Sequence, residues 1–560
     1  MENTLRALFD GAVEGVPSRT ALEFIGENGR RSMSFAALGA SVRREAELFS
    51  VAGIAPRERP VALILDNGPD WLVAYLALAC TAVPVVPMDP KLRPAEVAYI
   101  LKDSQACAVV TDAAHIPLLE TVLPNAPLVR TVFIQTGDDR EPPDKVCGRT
   151  CVFVAARIDI DGKRALTEAG CYARTAVAPD DICSIIYTSG TTGSPKGALI
   201  THANFFADAQ GTLQTLTTIG PNDRFLVVLP LFHAFSFTAN FLLALSSRAR
   251  LQFVRSLRTI GEDMKILSPT ILMAVPLLVE KFAGKIDTAL RTNRALLLFQ
   301  AFHLRGLVKH LILRSLGGRL RLVITGGAPC STDVIATMRR FGIPVIEGYG
   351  LTEASPVVSV CHPERAKIGT IGPAIPNIEA RIDRPDEQGI GELVVRGPIV
   401  MKGYLNRPEE TAEALAGGWL HTGDLATMDA EGFITIRGRK KALIVNREGK
   451  NIYPEEVERC LERDPRFRDV LVLGYHDQQD VGEKVGAIIV PDPDKFLHPD
   501  GSKMSEKEIE AEVHASVLTL CGDLATYKHP RKLLVRLEPL KRTAALKIAR
   551  SHYQGRLDRP

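Results

Sequence analysis

A third of the way along the chain stands the sequence Tyr187-Thr188-Ser189-Gly190-Thr191-Thr192-Gly193-Ser194-Pro195-Lys196-Gly197. It combines glycines, hydroxyl side chains and one lysine directly after an apolar run at 182–186, which predicts a buried strand. Glycines let backbone N–H groups approach an anion, hydroxyls donate to its oxygens, and an ammonium group supplies positive charge. The stretch therefore predicts a loop that holds phosphates rather than an ordinary polar hairpin.

The loop differs from the P-loop of many ATP hydrolases and kinases, in which Ser or Thr directly follows the lysine. Here Gly197 follows Lys196. A hydrolase or kinase of that class remains an alternative, but this pattern does not favour it.

Two later segments each read as a strand that runs into a glycine turn, at 322–329 and 345–353. Ligands of an open parallel sheet bind beyond the carboxyl ends of its strands. The first turn is small enough to lie against a planar base. In the second, Tyr349 is suited to stack on that base, Thr352 to donate to a phosphate, and Glu353 to bind magnesium through a hard oxygen.

Taken in this order, the loop and the two turns resemble the acyl-adenylate-forming superfamily, which includes acyl-CoA synthetases, peptide-synthetase adenylation domains and luciferases. The resemblance extends from residue 17 to Lys547. The segments 316–320, 347–353 and 449–456 look like the long-chain fatty acyl-CoA synthetase branch.

The resemblance implies a set of ATP-binding residues spread over the chain. They are Thr188, Ser189, Gly190, Thr191, Thr192, Gly193, Lys196, Gly327, Ala328, Glu347, Gly348, Tyr349, Thr352, Asp424, Arg439 and Lys441. Asp424 and Arg439 are assigned to the ribose, and Lys441 to the hinge between two domains.

The resemblance also implies the catalytic and metal-binding residues. Catalysis falls to Lys547, Thr188 and Glu353, with Thr188 and Glu353 as the magnesium ligands. Lys547 matches the C-terminal lysine that enters the adenylation site, although Leu546 replaces the glycine that usually precedes it.

An acyl pocket is implied around His233 and Phe237, which stand in an apolar run after the loop. A single histidine in such a run is as readily a core residue, so both interpretations of His233 stay open.

The fold class predicted is α/β, because strands and helices alternate through the first part of the chain as in helix-covered parallel sheets. A large multi-sheet N-terminal domain is expected at 1–438, a hinge at 439–441, and a small mobile α+β domain at 442–560. The polar segment 136–151 is expected to be a surface loop, and 277–318 to be helical.

The function predicted by the resemblance is an AMP-forming ligase that activates a fatty acid with ATP and Mg²⁺ and transfers the acyl group to a thiol. Coenzyme A is the expected acceptor. An acyl carrier protein as acceptor, a 3-hydroxy acid as substrate, and a catalytically inactive nucleotide-binding scaffold are the alternatives.

The composition of the chain indicates which kinds of partner it binds and in which cellular compartment it works. The formal net charge of +3 is too small to indicate a nucleic-acid partner. The scattered cysteines favour a reducing cytoplasm, and two uncharged stretches at 71–88 and 225–247 are better explained as core segments than as membrane spans. The basic segment 281–314 suggests peripheral contact with a membrane or with an acidic carrier protein.

Overall fold

The computed structural model describes residues 3–26, 29–135, 145–154, 170–188, 195–292, 305–448, 450–476, 482–542 and 548–557. The chain divides into two compact units. The first holds Met1–Ala380 and Val395–Leu420, and the second holds Arg381–Val394 and His421–Pro560. The domain bounds expected at 438 and 442, and the hinge between them, stay predictions.

The strands follow the chain order. They are β1 (Thr20–Gly26), β2 (Gly29–Ser34), β3 (Val61–Ile64), β4 (Val85–Pro87), β5 (Ala108–Asp112), β6 (Thr131–Gln135), β7 (Lys145–Val146), β8 (Arg149–Val154), β9 (Ile182–Thr188), β10 (Lys196–Thr201), β11 (Arg224–Val227), β12 (Arg250–Phe253), β13 (Ile271–Ala274), β14 (Leu322–Gly326), β15 (Val345–Gly350), β16 (Val357–Val360), β17 (Glu379–Asp383), β18 (Gly391–Arg396), β19 (Gly403–Tyr404), β20 (Leu420–Met428), β21 (Ile434–Arg439), β22 (Ile444–Val445), β23 (Asn451–Ile452), β24 (Phe467–His476), β25 (Glu483–Pro491) and β26 (Lys532–Val535).

The α-helices are interspersed among these strands. They are α1 (Leu5–Gly15), α2 (Phe35–Val51), α3 (Pro69–Ala79), α4 (Pro94–Ser104), α5 (Ile116–Val122), α6 (Cys171–Arg174), α7 (His202–Thr215), α8 (Ala234–Ser236), α9 (Leu243–Ser246), α10 (Ile260–Leu267), α11 (Pro276–Thr292), α12 (Arg305–Ser315), α13 (Thr332–Arg340), α14 (Pro408–Ala414), α15 (Pro454–Leu461) and α16 (Glu506–Leu520). A π-helical segment, Phe237–Leu242, joins α8 to α9.

The first unit is built on two large mixed sheets. One has the strand order β16-β15-β14-β13-β11-β12-β1-β2, and the other β19-β10-β9-β4-β3-β5-β6-β8-β7. Neighbouring strands from β15 to β1 in the first sheet, and from β9 to β8 in the second, run parallel. The carboxyl ends of the parallel strands therefore share one edge in each sheet.

Burial explains why these sequences form sheet interiors. Every residue of β3 and of β13 is buried, as expected for parallel strands covered on both faces by helices. Helix α3 is also buried along most of its length. The apolar stretches noted above are thus core strands and helices, and within the described residues no helix is long and apolar enough to cross a membrane.

Most residues of the sheet β17-β18-β20-β21 belong to the second unit, together with the pair β22-β23 and the sheet β24-β25-β26. A cluster of buried apolar side chains lies between β24-β25 and the helices α15 and α16. The combination of an antiparallel pair with helices on one face is an α+β arrangement, and the predicted α/β fold with a smaller sheet-containing C-terminal part is confirmed.

One local expectation needs correction. Part of the segment expected as a surface loop at 136–151 is strand, because β7 and β8 extend the second sheet at its edge; residues 136–144 lie outside the described residues. The polar composition that suggested a loop is typical of an exposed edge. In the stretch expected to be helical, α11 and α12 are described and residues 293–304 are not.

Candidate functional site

Strands β9 and β10 form the antiparallel hairpin that carries the phosphate-loop sequence. Thr188 pairs with Lys196 across it, and Thr188 Oγ1 donates to the carbonyl oxygen of Lys196 at 3.5 Å. The hairpin thus holds Thr188 and Lys196 opposite each other on its two strands. The other predicted residues of the loop lie outside the described residues: Ser189, Gly190, Thr191, Thr192 and Gly193.

Lys196 is enclosed by residues from a distant part of the chain. Strand β19 pairs with β10, so that Tyr404 lies opposite Ala198. The ammonium nitrogen of Lys196 stands 5.4 Å from the centroid of the Tyr404 ring and 3.9 Å from Glu410 Oε1. Both contacts attract the ammonium group and so help to place it.

Glu353 is held by the same strand. Tyr404 donates from its hydroxyl to Glu353 Oε1 at 2.8 Å, and the amide of Met401 donates to the carbonyl oxygen of Glu353 at 2.9 Å. Burial first, and then the charge of Glu353, raise the pKa of Tyr404 above the usual range of a phenol. The phenol therefore stays protonated and donates to a carboxylate.

The two glycine turns meet at the carboxyl end of the first sheet. Strands β14 and β15 are parallel, with Gly326 opposite Gly348. A Cβ on Gly326 would stand 3.0 Å from the carbonyl oxygen of Gly348 and 3.2 Å from the ring of Phe235. This close approach leaves little room for a larger side chain, and the exposed residues Gly327 and Ala328 follow directly.

Glu347 sits at the base of these turns. Its Oε1 accepts a hydrogen bond at 3.0 Å from the amide of Cys330, which follows the first turn. The carboxylate thus joins the two turns. Tyr349 and Thr352 follow on the same segment and are partly exposed.

A tight backbone turn and two buried hydrogen bonds fix the segment that contains Glu353. A Cβ on Gly350 would lie 1.9 Å from the carbonyl oxygen of Pro356, so the chain folds back tightly at this point. Thr238 Oγ1 donates to the carbonyl oxygen of Ser355 at 2.8 Å, and Ser355 Oγ donates to that of Ile399 at 2.8 Å. These buried bonds hold the turn rigid on the carboxyl side of Glu353.

His233 and Phe237 lie near this edge of the sheet in different environments. His233 caps α8, and the ring of the next-but-one residue, Phe235, packs against Gly326. Phe237 is only 2% exposed. Its ring contacts an aromatic cluster made by Trp71, Tyr75, Phe205 and Phe241.

In the second unit, Asp424 and Arg439 are paired across β20 and β21. Arg439 Nε lies 3.0 Å from Asp424 Oδ1. Lys441 follows in the short turn Lys440–Ala442. A carboxylate and a guanidinium group held side by side offer an acceptor and a donor to vicinal hydroxyls.

Glu392, which contacts Lys440 of the predicted hinge, was not identified as a site residue from the sequence. Its Oε2 lies 3.0 Å from Lys440 Nζ and 3.3 Å from His421 Nδ1. Burial raises the pKa of this carboxyl, but the hydrogen bonds from Lys440 and His421 outweigh it, so that the pKa lies below the ordinary value. Glu392 therefore anchors the start of the predicted hinge.

Lys547 and Leu546 lie outside the described residues. The residues on either side are anchored, since Arg542 and Ile548 form an antiparallel bridge. Arg542 also pairs with the buried Asp469, and Arg550 donates to both oxygens of Glu458 at 2.7–2.8 Å.

Magnesium is the metal that the resemblance implies, and the two residues assigned to it carry the oxygen ligands that it prefers. Thr188 and Glu353 supply hard oxygens. Among the described residues there is no group of three or more His, Cys, Asp or Glu side chains that could hold a metal ion. A hydroxyl and a carboxyl oxygen suit an ion that takes its other ligands from water and substrate phosphates, as Mg²⁺ does with nucleotides.

The sequence did not single out Tyr404, Glu410 or Arg407 for the site. A weak signal was present, because Gly403-Tyr404-Leu405-Asn406-Arg407-Pro408 places an aromatic ring and a cation in a turn-forming stretch. Nothing local shows that this turn pairs with β10.

Comparison with known proteins shows which family the chain belongs to. Residues 9–405 match the family model described as AMP-binding enzyme. The chain is 32% identical over 475 residues to long-chain-fatty-acid--CoA ligase 6 of Mus musculus, with 78% of this chain and 66% of that protein covered. It is 30% identical over 521 residues to feruloyl-CoA synthase of Amycolatopsis sp, with 90% of each covered.

The match to the mouse protein thus spans slightly less than two thirds of that relative's length. Among solved structures, the ATP-bound MatB from Rhodopseudomonas palustris superimposes with a TM-score of 0.76 at 25% identity, with 100% of both chains covered.

Proposed function

Because the chain belongs to the AMP-binding enzyme family, we propose that it is an AMP-forming ligase that joins a carboxylic acid to a thiol. In the first half-reaction a carboxylate oxygen attacks the α-phosphorus of ATP, the bond to pyrophosphate breaks, and acyl-AMP forms. In the second, a thiol sulfur attacks the acyl carbon, and AMP leaves as the thioester forms.

The observation that carries this proposal is the convergence of Lys196 and Glu353 on Tyr404. The ammonium group of Lys196, on β10, and the carboxyl group of Glu353, in the short turn after β15, meet at one tyrosine. Bringing two anions together requires charge neutralisation and positioning more than covalent chemistry by the protein. Lys196 and Thr188 are suited to the β- and γ-phosphates.

When bound, Mg²⁺ supplies positive charge to the phosphate oxygens. Glu353 and Thr188 would hold it together with those oxygens. Tyr404 fixes one oxygen of Glu353 and so limits rotation of the carboxylate.

The nucleoside is proposed to lie at the carboxyl end of β14 and β15. Gly327 and Ala328 are exposed there, and Tyr349 is suited to stack on the adenine. Thr352 would donate to the α-phosphate. Asp424 and Arg439 are proposed to bind the ribose hydroxyls, because the pair presents an acceptor beside a donor.

Lys547 is proposed to offset negative charge at the reacting carboxylate and α-phosphate. The C-terminal domain, which carries Lys547, is proposed to turn about Lys441 between the half-reactions, a hinge-type change.

A fatty acid is the proposed acid and coenzyme A the proposed thiol. The long-chain-fatty-acid--CoA ligase name of the mouse relative supports the acid, and both relatives are named for coenzyme A. The acyl pocket is proposed around His233 and Phe237. The basic faces of α11 and α12 are proposed to contact a membrane surface from which such an acid would be drawn.

Pyrophosphate release over a panel of carboxylates tests the proposal. The panel holds saturated fatty acids of increasing length, ferulate and 3-hydroxy acids, each with ATP and Mg²⁺. We expect release that depends on the acid and is strongest for a fatty acid. Mass spectrometry with coenzyme A, and separately with a carrier protein, then identifies the thioester.

Phosphate or pyrophosphate release without any acid would indicate a hydrolase. No release with any acid, combined with ATP binding, would indicate an inactive scaffold. Preference for ferulate or a 3-hydroxy acid would leave the ligase chemistry in place and replace the proposed acid.

A further inference from the structure

Tyr404 makes two different contacts with the two charged groups proposed to act on ATP. Its ring faces the ammonium group of Lys196 at 5.4 Å from the centroid. Its hydroxyl donates to Glu353 Oε1 at 2.8 Å. One side chain thus touches the proposed phosphate cation with its face and the proposed metal carboxylate with its edge.

The tyrosine itself is firmly placed by its own strand. β19 pairs with β10 through Ala198 and Tyr404 and through Leu199 and Gly403. The amide of Tyr404 also donates to Thr411 Oγ1 at 2.9 Å. The backbone that carries the ring is therefore held by two other elements.

The neighbouring charges leave the lysine in a defined orientation. Glu410 lies on helix α14, and its Oε1 stands 3.9 Å from Lys196 Nζ. A lysine side chain with several rotatable bonds loses rotamer entropy when it is fixed, and a ring face plus a carboxylate restrict it before ATP arrives. Preorganised charge costs less at the moment of reaction than charge that must be gathered.

We propose that Tyr404 is a positioning residue that couples the two halves of the phosphate site, orienting Glu353 for Mg²⁺ through its hydroxyl and Lys196 for phosphate through its ring. This inference rests on the proposed function and adds to it a residue that acts through Lys196 and Glu353 rather than on the substrate. The two contacts are separable, because Tyr404→Phe removes only the hydroxyl and Tyr404→Leu removes the ring as well.

Binding of α,β-methylene-ATP, measured by calorimetry without any acid, tests the inference. The analogue cannot be cleaved at the bond that adenylation breaks, so the readout is binding and not activity. Each protein is titrated in EDTA and over a series of free Mg²⁺ concentrations.

For Tyr404→Phe we expect unchanged affinity in EDTA and an Mg²⁺ midpoint raised about tenfold, as for loss of a hydrogen bond to a charged group. For Tyr404→Leu we expect the same midpoint shift and, in EDTA, affinity lowered about threefold, since the lysine loses its cation–π contact.

Tyr172→Phe is the matched control. Tyr172 donates to Asp10 Oδ1 at 2.8 Å, the same chemical contact at a place remote from these residues in the fold. It should bind the analogue as the unmodified protein does.

A double-mutant cycle separates positioning from general destabilisation. Glu353→Gln should raise the Mg²⁺ midpoint, and adding Tyr404→Phe should raise it no further, because the hydroxyl acts through the carboxylate. Additive effects, or a Tyr404→Phe protein with an unchanged Mg²⁺ midpoint, would overturn the inference. If the unmodified protein did not bind the ATP analogue at all, the proposed function itself would be contradicted. If the unmodified and Tyr404→Phe proteins both bound it with equal Mg²⁺ midpoints, only the role of Tyr404 would be contradicted.

Discussion

At the scale of single residues, Glu45 is a carboxyl group enclosed in the core of the first unit. Its Oε1 accepts a hydrogen bond from Gln135 Nε2 at 2.7 Å. Burial first, and then the charge of Asp70, raise the pKa of Glu45 from 4.5 to about 8. The group is therefore protonated in the folded protein at neutral pH, whereas in the unfolded chain it ionises near 4.5.

Unfolding thus releases a proton between pH 4.5 and about 8, and the free energy of unfolding falls as pH rises through that window. Glu45→Gln keeps an acceptor for Gln135 and removes the titration. At about 1.4 kcal/mol for each pH unit, the variant should gain a few kcal/mol over the unmodified protein by pH 8, with little gain at pH 5.

Thermal unfolding midpoints measured from pH 5 to 9 check this expectation. Asp70, whose pKa burial raises to about 6, adds a pH-dependent loss that both proteins share. Glu510→Gln on the exposed side of α16 is the control and should follow the unmodified protein at every pH. A constant difference between Glu45→Gln and the unmodified protein at all pH values would contradict the assignment.

At the scale of elements, helix α4 holds the base of the phosphate-loop hairpin. Tyr187, before the loop, donates to Asp103 Oδ2 at 2.8 Å. Tyr99 donates to the carbonyl oxygen of Pro195, after the loop, at 3.0 Å. Tyr99 and Asp103 lie four residues apart and so share one face of the helix. Arg407 reaches both of them, at 3.1 Å and 3.6 Å.

Asp103→Ala should weaken ATP binding with a smaller effect on kcat. The substitution leaves the tyrosine hydroxyl of Tyr187 and the guanidinium of Arg407 without this carboxylate, so that ordering the hairpin is left to ATP. We expect the KM for ATP to rise about five- to tenfold, as for loss of one charged hydrogen bond. Steady-state kinetics with saturating acid measures it.

Lys102→Ala is the control for this helix, since Lys102 precedes Asp103 and is exposed. It should leave the KM for ATP unchanged. An equal rise in both variants would show that the helix as a whole, and not the carboxylate, determines the effect.

At the scale of the whole molecule, the proposed chemistry draws on residues of both units. The first unit carries Lys196 and Glu353, and the second carries Asp424 and the lysine assigned to adenylation. The two half-reactions should therefore respond differently to changes in the second unit.

Lys547→Ala should lower acyl-AMP formation by two or more orders of magnitude, in line with the loss of a preorganised charge at a transition state. Transfer from chemically prepared acyl-AMP to coenzyme A should change far less. Pyrophosphate release and thioester formation, assayed separately, measure the two steps. Lys541→Ala is the control, and intact acyl-AMP formation by Lys547→Ala would show the lysine to be misassigned.

The α/β fold and the membership in the AMP-binding enzyme family could both be predicted from the amino-acid sequence. Buried parallel strands appear in the sequence as continuous apolar runs, and tight turns appear as glycines. Both patterns can be recognised from neighbouring residues. The buried strand at 182–186 was therefore evident from the sequence, and β9 confirms it; its pairing with β10 was not predicted. The roles of the hairpin's side chains stay predictions.

The residues that support the site, by contrast, became evident only from the three-dimensional fold. Tyr404 lies more than 200 residues from Lys196 along the chain, yet the pairing of β19 with β10 brings them together. Neither the raised pKa of Glu45 nor the face of α4 that holds the hairpin could be predicted from the sequence. Each depends on burial or on contacts between distant segments, and the free energy of such contacts is fixed by packing rather than by neighbours in the sequence.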